Sequence, residues 1–142
     1  GCISIDPEKR EGIMALTDGR GIDTAINVSS SPLGLQLAID TLAAEGMLIE
    51  ASWYGNKKAE IEFGGSFHRK RLTMRSSQVS TINPRLSPRW DKKRRLSVVL
   101  DCLRLFHPAR YITHEFKMQD AHEAYSLIAE HPEETIQVVL IP

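Results

Sequence analysis

An early part of the chain carries two hydrophobic periods in succession, and the change of period predicts a strand, a helix and a second strand. The run Thr24–Ser29 is rich in β-branched residues, which is typical of a strand. A row of serines then leads into a helix, with Ser31 as the predicted N-cap and Pro32 as the first helical residue. Apolar residues follow at helical spacing, and Gly46 is predicted as a left-handed C-terminal cap. The second strand is predicted at Met47–Ser52.

Two strands joined by a covering helix run parallel, so this unit predicts an α/β layered domain. The pattern elsewhere supports the same class. A possible amino-terminal strand, a one-sided edge strand and three further strands are predicted at Gly1–Asp6, Ala59–Phe63, Leu72–Val79, Tyr111–Phe116 and Ile136–Ile141. Helices are predicted over Glu8–Leu16, from Arg89–Arg95 to a point before Pro108, and from a capping box at Asp120 and Glu123 to a point before Pro132.

Composition places the chain among soluble globular proteins. It has 142 residues, of which 42% are hydrophobic and 25% charged. No apolar stretch approaches the roughly 20 residues that span a bilayer, and the amino end lacks the features of a secretory signal. We therefore expect a cytoplasmic protein with no membrane partner. Cys2 and Cys102 have no partner at metal-ligand spacing and are expected to be reduced packing thiols.

The formal net charge of zero hides a basic island. Residues 68–95 hold ten Lys or Arg against one Asp, and acidic segments flank them. Such an island can attract phosphate-bearing ligands, or it can be a solvated surface. Trp90 is the only Phe, Tyr or Trp within the island, and no nucleic-acid module is recognisable. A solvated or cofactor-phosphate-facing surface is therefore favoured, and no nucleic acid partner is expected.

The serines at the end of the first predicted strand are candidate ligand contacts. In open α/β sheets, ligands bind outside the carboxyl ends of the strands, and the amides at a helix start favour an anion. Ser29, Ser30 and Ser31 lie at such a position. The alternative is that Ser31 only caps the helix while Ser29 and Ser30 turn the chain.

The residues give no pattern for a metal site or a nucleophile. The five histidines lack a short ligand motif such as HExxH, and Ser66 lacks the GxSxG frame of a nucleophile elbow. We therefore assign neither a catalytic residue nor a metal ligand.

Several phrases, in order, resemble the carboxyl-terminal part of the medium-chain, zinc-type alcohol dehydrogenases. LTDGRGID resembles the phrase before the fourth strand of that family's nucleotide-binding domain, and the stretch from Asn27 to Gly55 resembles the fourth strand, its helix and the fifth strand. RLTMRSSQVS is similar to the sixth strand. The stretch from Ile112 to Ile141 looks like the closing strand, helix and strand that return to the catalytic domain.

The resemblance implies a partial Rossmann-like parallel sheet with flanking helices, plus a strand-helix-strand return segment. Residues 1–80 would be the second half of a dinucleotide-binding domain, and residues 81–142 the return segment. In the family, the zinc ligands and the glycine-rich fingerprint precede this part, and the 142 residues contain no GxGxxG. The implied cofactor is NAD or NADP, and the implied substrate of the complete enzyme is a small alcohol.

The resemblance also implies further cofactor contacts. Ser52 and Trp53, with Tyr54, follow the second strand where the family borders the nicotinamide, and Ser76, Ser77 and Gln78 lie on the next strand. The alternative for Trp53 and Tyr54 is that they are ordinary core or interface aromatics.

Asp6 can be placed in two ways. It resembles the acid that holds the cofactor ribose at the end of the second strand, but few residues follow it before LTDGRGID. Aligning the amino end with the third strand and its helix is favoured, which makes Asp6 a loop acid.

Two functions follow. The first is an oxidoreductase fragment that is inactive alone. The second is a non-catalytic association module, in which a homo-oligomer pairs through the strand Ala59–Phe63, as the family's edge strand does.

Overall fold

The computed structural model describes residues 10–142. The described residues up to Ser80 form one compact unit, and Thr81–Pro142 form another. The predicted strand Gly1–Asp6, the placement of Asp6 and the thiol of Cys2 lie outside the described residues.

The first unit is a three-stranded parallel sheet with a helix between its first two strands. The sheet order is β1-β2-β3, and both pairs are parallel, as the sequence predicts. Its elements are α1 (Arg10–Ala15), β1 (Ile22–Asn27), α2 (Pro32–Thr41), β2 (Leu42–Glu50), an irregular helical segment (Phe63–Phe67) and β3 (Thr73–Ser76).

The core of this unit lies between α2 and one face of the sheet. Ile39 and Leu42 are fully buried, and Leu48 is 1% exposed. Ala25 and Leu48 are register partners, and Leu35 and Leu72 complete the cluster. Apolar side chains of α2 thus cover the side of the sheet on which Ala25 and Leu48 lie.

Helix α2 begins as predicted and ends differently. Ser31 is the N-cap, because its hydroxyl accepts the Gly34 N–H at 3.3 Å, and Pro32 is the first helical residue. At the other end, Lys70 Nζ donates to the carbonyls of Asp40 and Leu42 at 3.0 and 2.6 Å. A lysine from a distant segment therefore satisfies carbonyls that a helix end leaves free.

The predicted left-handed cap at Gly46 is wrong. The residue with positive φ is Glu45, at 62°, and its N–H donates to the Lys70 carbonyl at 2.8 Å. Gly46 is needed for another reason, since a Cβ there would lie 2.9 Å from the Ala43 carbonyl oxygen and 3.0 Å from Leu42 Cδ2. Close packing, not backbone conformation, calls for glycine at this position.

The predicted edge strand Ala59–Phe63 is also wrong. Residues 59–62 form no regular structure, and Phe63 begins the irregular helical segment. The Glu62 N–H donates to Gln36 Oε1 on α2 at 2.9 Å, and Phe63 packs edge to face on Phe67 with ring centroids 5.1 Å apart. Alternating side chains make a strand only where a neighbouring backbone supplies a ladder, and no described residue does so here.

The second unit pairs two parallel strands around a helix. Its elements are α3 (Lys92–Phe106), a 3-10 turn (Pro108–Tyr111), β4 (Ile112–Lys117), a second turn (Met118–Asp120), α4 (Ala121–Glu130), a third turn (Pro132–Glu134) and β5 (Gln137–Ile141). Strands β4 and β5 run parallel, which matches the predicted strand-helix-strand segment. No described helix is both long and apolar enough to cross a membrane.

Two local predictions in this unit have different outcomes. Helix α3 forms where predicted, with Asp91 as its N-cap accepting the Arg94 N–H at 2.7 Å, but none of its residues is buried. The capping box at Asp120 and Glu123 does not form, because Asp120 ends a 3-10 turn and its side chain makes no capping bond. The Ala121 N–H donates instead to the Met118 carbonyl.

Candidate strand-end site

Strands β1 and β2 end side by side, as parallel register requires. Asn27 and Glu50 are register partners, and the Ala51 N–H donates to the Asn27 carbonyl at 2.9 Å. The Ser77 N–H donates to the Glu50 carbonyl at 2.8 Å, which brings the end of β3 to the same edge. The carboxyl ends of all three strands therefore meet where α/β sheets bind their ligands. We call this region the strand-end site.

Asn27 is the centre of the strand-end site. Its side chain is buried, with 6% of the residue exposed. Nδ2 donates to Glu50 Oε2 at 2.7 Å and to the Tyr54 hydroxyl at 3.1 Å. Oδ1 accepts the N–H and the hydroxyl of Ser29 at 3.2 and 2.7 Å. One amide thus ties the turn after β1 to the turn after β2.

Glu50 and Tyr54 extend this network. Glu50 Oε1 accepts the Ser52 N–H at 2.7 Å, and the Tyr54 hydroxyl donates to the Ser31 carbonyl at 3.2 Å. Burial is the main cause that raises the pKa of Tyr54 above its ordinary value, although the hydrogen bond from Asn27 opposes it. The phenol therefore stays protonated at neutral pH and remains a donor.

The serines of the first turn are bonded within the chain. The Ser29 hydroxyl accepts the Ser31 N–H at 3.2 Å, and the Ser30 N–H donates to Ser52 Oγ at 3.0 Å. Ser30, with φ of 52°, also donates its hydroxyl to the Trp53 carbonyl at 3.2 Å. The N–H groups of all three residues from Ser29 to Ser31 thus have internal acceptors. This geometry supports the capping and turn role and leaves these amides no free donor for an anion.

The remaining predicted site residues lie on or beyond β2 and β3. Ser52 donates its hydroxyl to the Asn27 carbonyl at 3.3 Å, and Trp53 is 88% exposed. Ser76 and Ser77 are exposed, and Gln78 Nε2 donates to Ser80 Oγ at 3.1 Å. Trp53, Ser76 and Ser77 are therefore reachable from solvent, unlike the buried Asn27.

Sequence inspection missed Asn27 and Glu50 as site residues, although both were visible as polar groups ending apolar strands. A polar residue at the end of a buried strand has to find a partner, and here each is the other's partner. In the sequence, the signal that could have identified the pair is the polar residue that each of the two strands carries at its end.

A cavity of about 320 Å³ opens beside this network. Leu35, Ala59 and Met74 supply its apolar wall, and Glu50, Tyr54 and Lys57 supply polar groups. Ser76, the register partner of Glu50, also lines it.

The strand-end site does not fit a zinc ion. Its side chains are an amide, a carboxylate, a phenol and hydroxyls. Zinc sites typically use Cys sulfur and His nitrogen ligands, and none of these side chains is a Cys or a His. Among residues 10–142, one group of three potential ligands lies together, His131, Glu133 and Glu134, with ligand atoms within 4.8 Å of one another. All three are exposed and lie in the second unit.

Comparison with known proteins gives the fold. No family model and no curated protein sequence matches this chain. Solved structures do match. 2R,3R-butanediol dehydrogenase from Bacillus subtilis is 22% identical with a TM-score of 0.71, covering 100% of this chain and 38% of that one.

Two further structures agree. Zinc-dependent alcohol dehydrogenase 2 from Streptococcus pneumonia, in its apo form, is 23% identical with a TM-score of 0.69, over 94% of this chain and 36% of that one. An alcohol dehydrogenase from Escherichia coli CFT073 in complex with NADH is 21% identical with a TM-score of 0.64, over 93% of this chain and 36% of that one. The chain spans a little over a third of the length of these enzymes. It therefore has the fold of part of an alcohol dehydrogenase, as its sequence phrases predict.

Proposed function

We propose that this chain is part of an NAD(P)-dependent, zinc-type alcohol dehydrogenase-like oxidoreductase of the cytoplasm, and that it forms the nicotinamide side of the cofactor cleft. The observation that carries the proposal is the meeting of three parallel strand ends at Asn27, Glu50 and Ser77, with Trp53 exposed beside them. Sheets of this class bind their ligands at that edge. The NADH bound to the E. coli enzyme supports the choice of cofactor.

The geometry supports different roles for these residues toward the parts of the cofactor. The N–H groups of Ser29–Ser31 are bonded internally, so we do not propose them as a phosphate cradle. The exposed Trp53, Ser76 and Ser77 instead offer an aromatic face and hydroxyls, which suit the nicotinamide ring and its carboxamide. When bound, the cofactor supplies hydride transfer. Asn27 and Glu50 act as positioning residues, since they hold the two turns together.

The 142 residues supply neither a pyrophosphate-binding loop nor, at the strand-end site, a zinc ligand set. The sequence contains no GxGxxG, and the strand-end site has no Cys or His. We therefore propose that these 142 residues bind a nicotinamide nucleotide weakly and turn over no alcohol by themselves. Zinc and the substrate alcohol would be bound by other parts of the complete enzyme.

Tryptophan fluorescence tests the cofactor surface, because the chain has two tryptophans in different units, Trp53 and Trp90. In the W90F variant, we expect nicotinamide mononucleotide to quench Trp53 with a saturable curve. In the matched W53F variant, only the linear collisional quenching of Trp90 is expected. Equal, unsaturated quenching of both tryptophans would contradict the proposal, because nicotinamide would then not bind near Trp53.

A second candidate function is self-association, and one observation favours it. Residues 59–62 have exposed or half-buried side chains and no strand partner among the described residues. The Glu62 N–H donates to Gln36 Oε1 and the Ile61 carbonyl accepts the Phe63 N–H, so a second copy that pairs with this segment would replace these two bonds. We propose that a homo-oligomer would order this segment as a strand, although the single chain does not.

Light scattering at several protein concentrations tests this second candidate. A dimer is expected, and replacing Ile61 with proline, which cannot donate to a ladder, should shift it toward monomer. The control change I136P removes the Ile136 N–H bond to Thr113 Oγ1 in the second unit, at an exposed position outside the strands, and should leave the mass unchanged. A monomer at every concentration rules the candidate out.

A further inference from the structure

The cavity beside the strand-end site combines opposite charges with an apolar wall. It lies on the side of the sheet that α2 covers, because Met74 and Ser76 of β3 are the register partners of Leu48 and Glu50. Register partners in a parallel pair point to the same face, so Met74 lies beside the core residue Leu48. The volume of the cavity, about 320 Å³, is at the lower end of the range of small-molecule sites, roughly 300–1,000 Å³. This size suits a ligand much smaller than a dinucleotide.

Glu50 gives one wall of the cavity a negative charge that no described cation pairs with. Its carboxylate accepts the Ser52 N–H and the Asn27 Nδ2–H at 2.7 Å each, and the Tyr54 hydroxyl at 3.5 Å, and all three donors are neutral. A carboxylate has about four acceptor positions, so acceptor capacity remains for a further donor. The half-buried location and the fixed orientation of the side chain favour a positively charged partner.

Lys57 supplies the opposite charge from the loop. Its N–H donates to the Tyr54 carbonyl at 3.1 Å, which fixes the turn, and its side chain lines the same cavity. Leu35, Ala59 and Met74 provide the apolar surface of the cavity. A ligand that satisfies the whole lining therefore needs an ammonium group, a carboxylate and an apolar body.

We propose that this cavity binds an apolar α-amino acid. Its ammonium group donates to Glu50, its carboxylate accepts from Lys57, and its side chain packs against Leu35 and Met74. The inference goes beyond the proposed oxidoreductase role and does not depend on it, since the ligand is not a nucleotide and, apart from Ser76, the residues that line the cavity are not those proposed to contact the nicotinamide.

Three ligands that share one apolar body test the contributions of the ammonium group and the carboxylate separately. The 142-residue chain, labelled with nitrogen-15, is titrated with leucine, with isopentylamine, which lacks the carboxylate, and with 4-methylpentanoate, which lacks the ammonium group. Leucine is expected to shift the amide signals of Leu35, Lys57, Ala59 and Met74 with saturation, and to bind about two- to fivefold more tightly than either analogue, as exposed charge pairs provide. Unsaturated shifts, or an analogue that binds as tightly as leucine, would overturn the proposal.

Neighbouring lysines provide the matched variants. K57M removes the charge of a lysine that lines the cavity. K58M removes the charge of the adjacent lysine, which does not line the cavity. Both side chains are exposed, so both variants are expected to fold. K57M should weaken leucine binding about two- to fivefold and remove its advantage over isopentylamine, and K58M should change neither. Equal effects of the two variants would refute the assignment of Lys57. The quenching of Trp53 by nicotinamide mononucleotide is read separately, so the two proposals can fail independently.

Discussion

Replacing Gly21 with alanine is expected to lower the free energy of unfolding by about 2–5 kcal/mol. Two causes add. Gly21 has φ of +90°, a conformation that costs an L-residue roughly 1–2 kcal/mol. A Cβ there would also lie 2.6 Å from the Thr41 carbonyl oxygen and 2.8 Å from the Ala43 nitrogen. Both contacts are to backbone at the junction of α2 and β2, which has little freedom to move.

Gly19 is the matched control for this prediction. It has φ of +77°, but nothing lies within 4 Å of a Cβ built on it. G19A should therefore cost only the conformational part, roughly 1–2 kcal/mol. Urea denaturation of G21A, G19A and the parent chain measures the difference. If G21A and G19A lose the same stability, the close approach of Gly21 to the α2–β2 junction does not exist in solution.

The N27D substitution is expected to destabilise the chain by about 3–5 kcal/mol at neutral pH, the range for an unpaired buried charge. The change keeps the shape of the side chain and exchanges the donating amide for a carboxylate. That carboxylate would face Glu50 Oε2, which now accepts a hydrogen bond from Asn27 Nδ2 at 2.7 Å. A buried carboxylate at position 27 would then face the half-buried carboxylate of Glu50, and the Tyr54 hydroxyl would lose its donor.

The sign of the pH dependence follows from burial and like charge. Both raise the folded-state pKa of the introduced carboxyl group above its unfolded value of about 3.9. The loss of stability should therefore be small below that unfolded value and should grow as the pH rises through the folded pKa. Measuring unfolding between acid and neutral pH tests this, with N56D, the same change at an exposed turn, as control. A deficit in N27D that does not grow with pH would contradict the shared carboxyl site.

Much of the fold was predictable because its signals are local. A serine before a proline and an apolar run with a 3.6-residue period specify the start of α2 without help from the rest of the chain. The same holds for the parallel order of β1 and β2, which a short covering helix imposes, and for the start of α3 within Arg89–Arg95. Local rules misassigned Gly46 and Ala59–Phe63, where the outcome depends on which backbone lies opposite.

The candidate site was predictable in location and not in composition. Ser29–Ser31 and Ser52 do lie at the strand ends, because parallel strands in one sheet must finish at one edge. Their hydroxyls and amides, however, bond to one another and to Asn27, and a single sequence does not show such pairings across more than 20 residues.

The sequence by itself determined the α/β class, the strand-helix-strand units and the edge at which the candidate site lies, because periodicity, caps and short connections act between near neighbours. Only the tertiary structure decided that the amide of Asn27 unites Glu50 and Tyr54, that Lys70 closes α2 and that Gly21 must have no side chain. These features depend on distances between segments far apart in the chain, and those distances exist only when burial has brought the segments together.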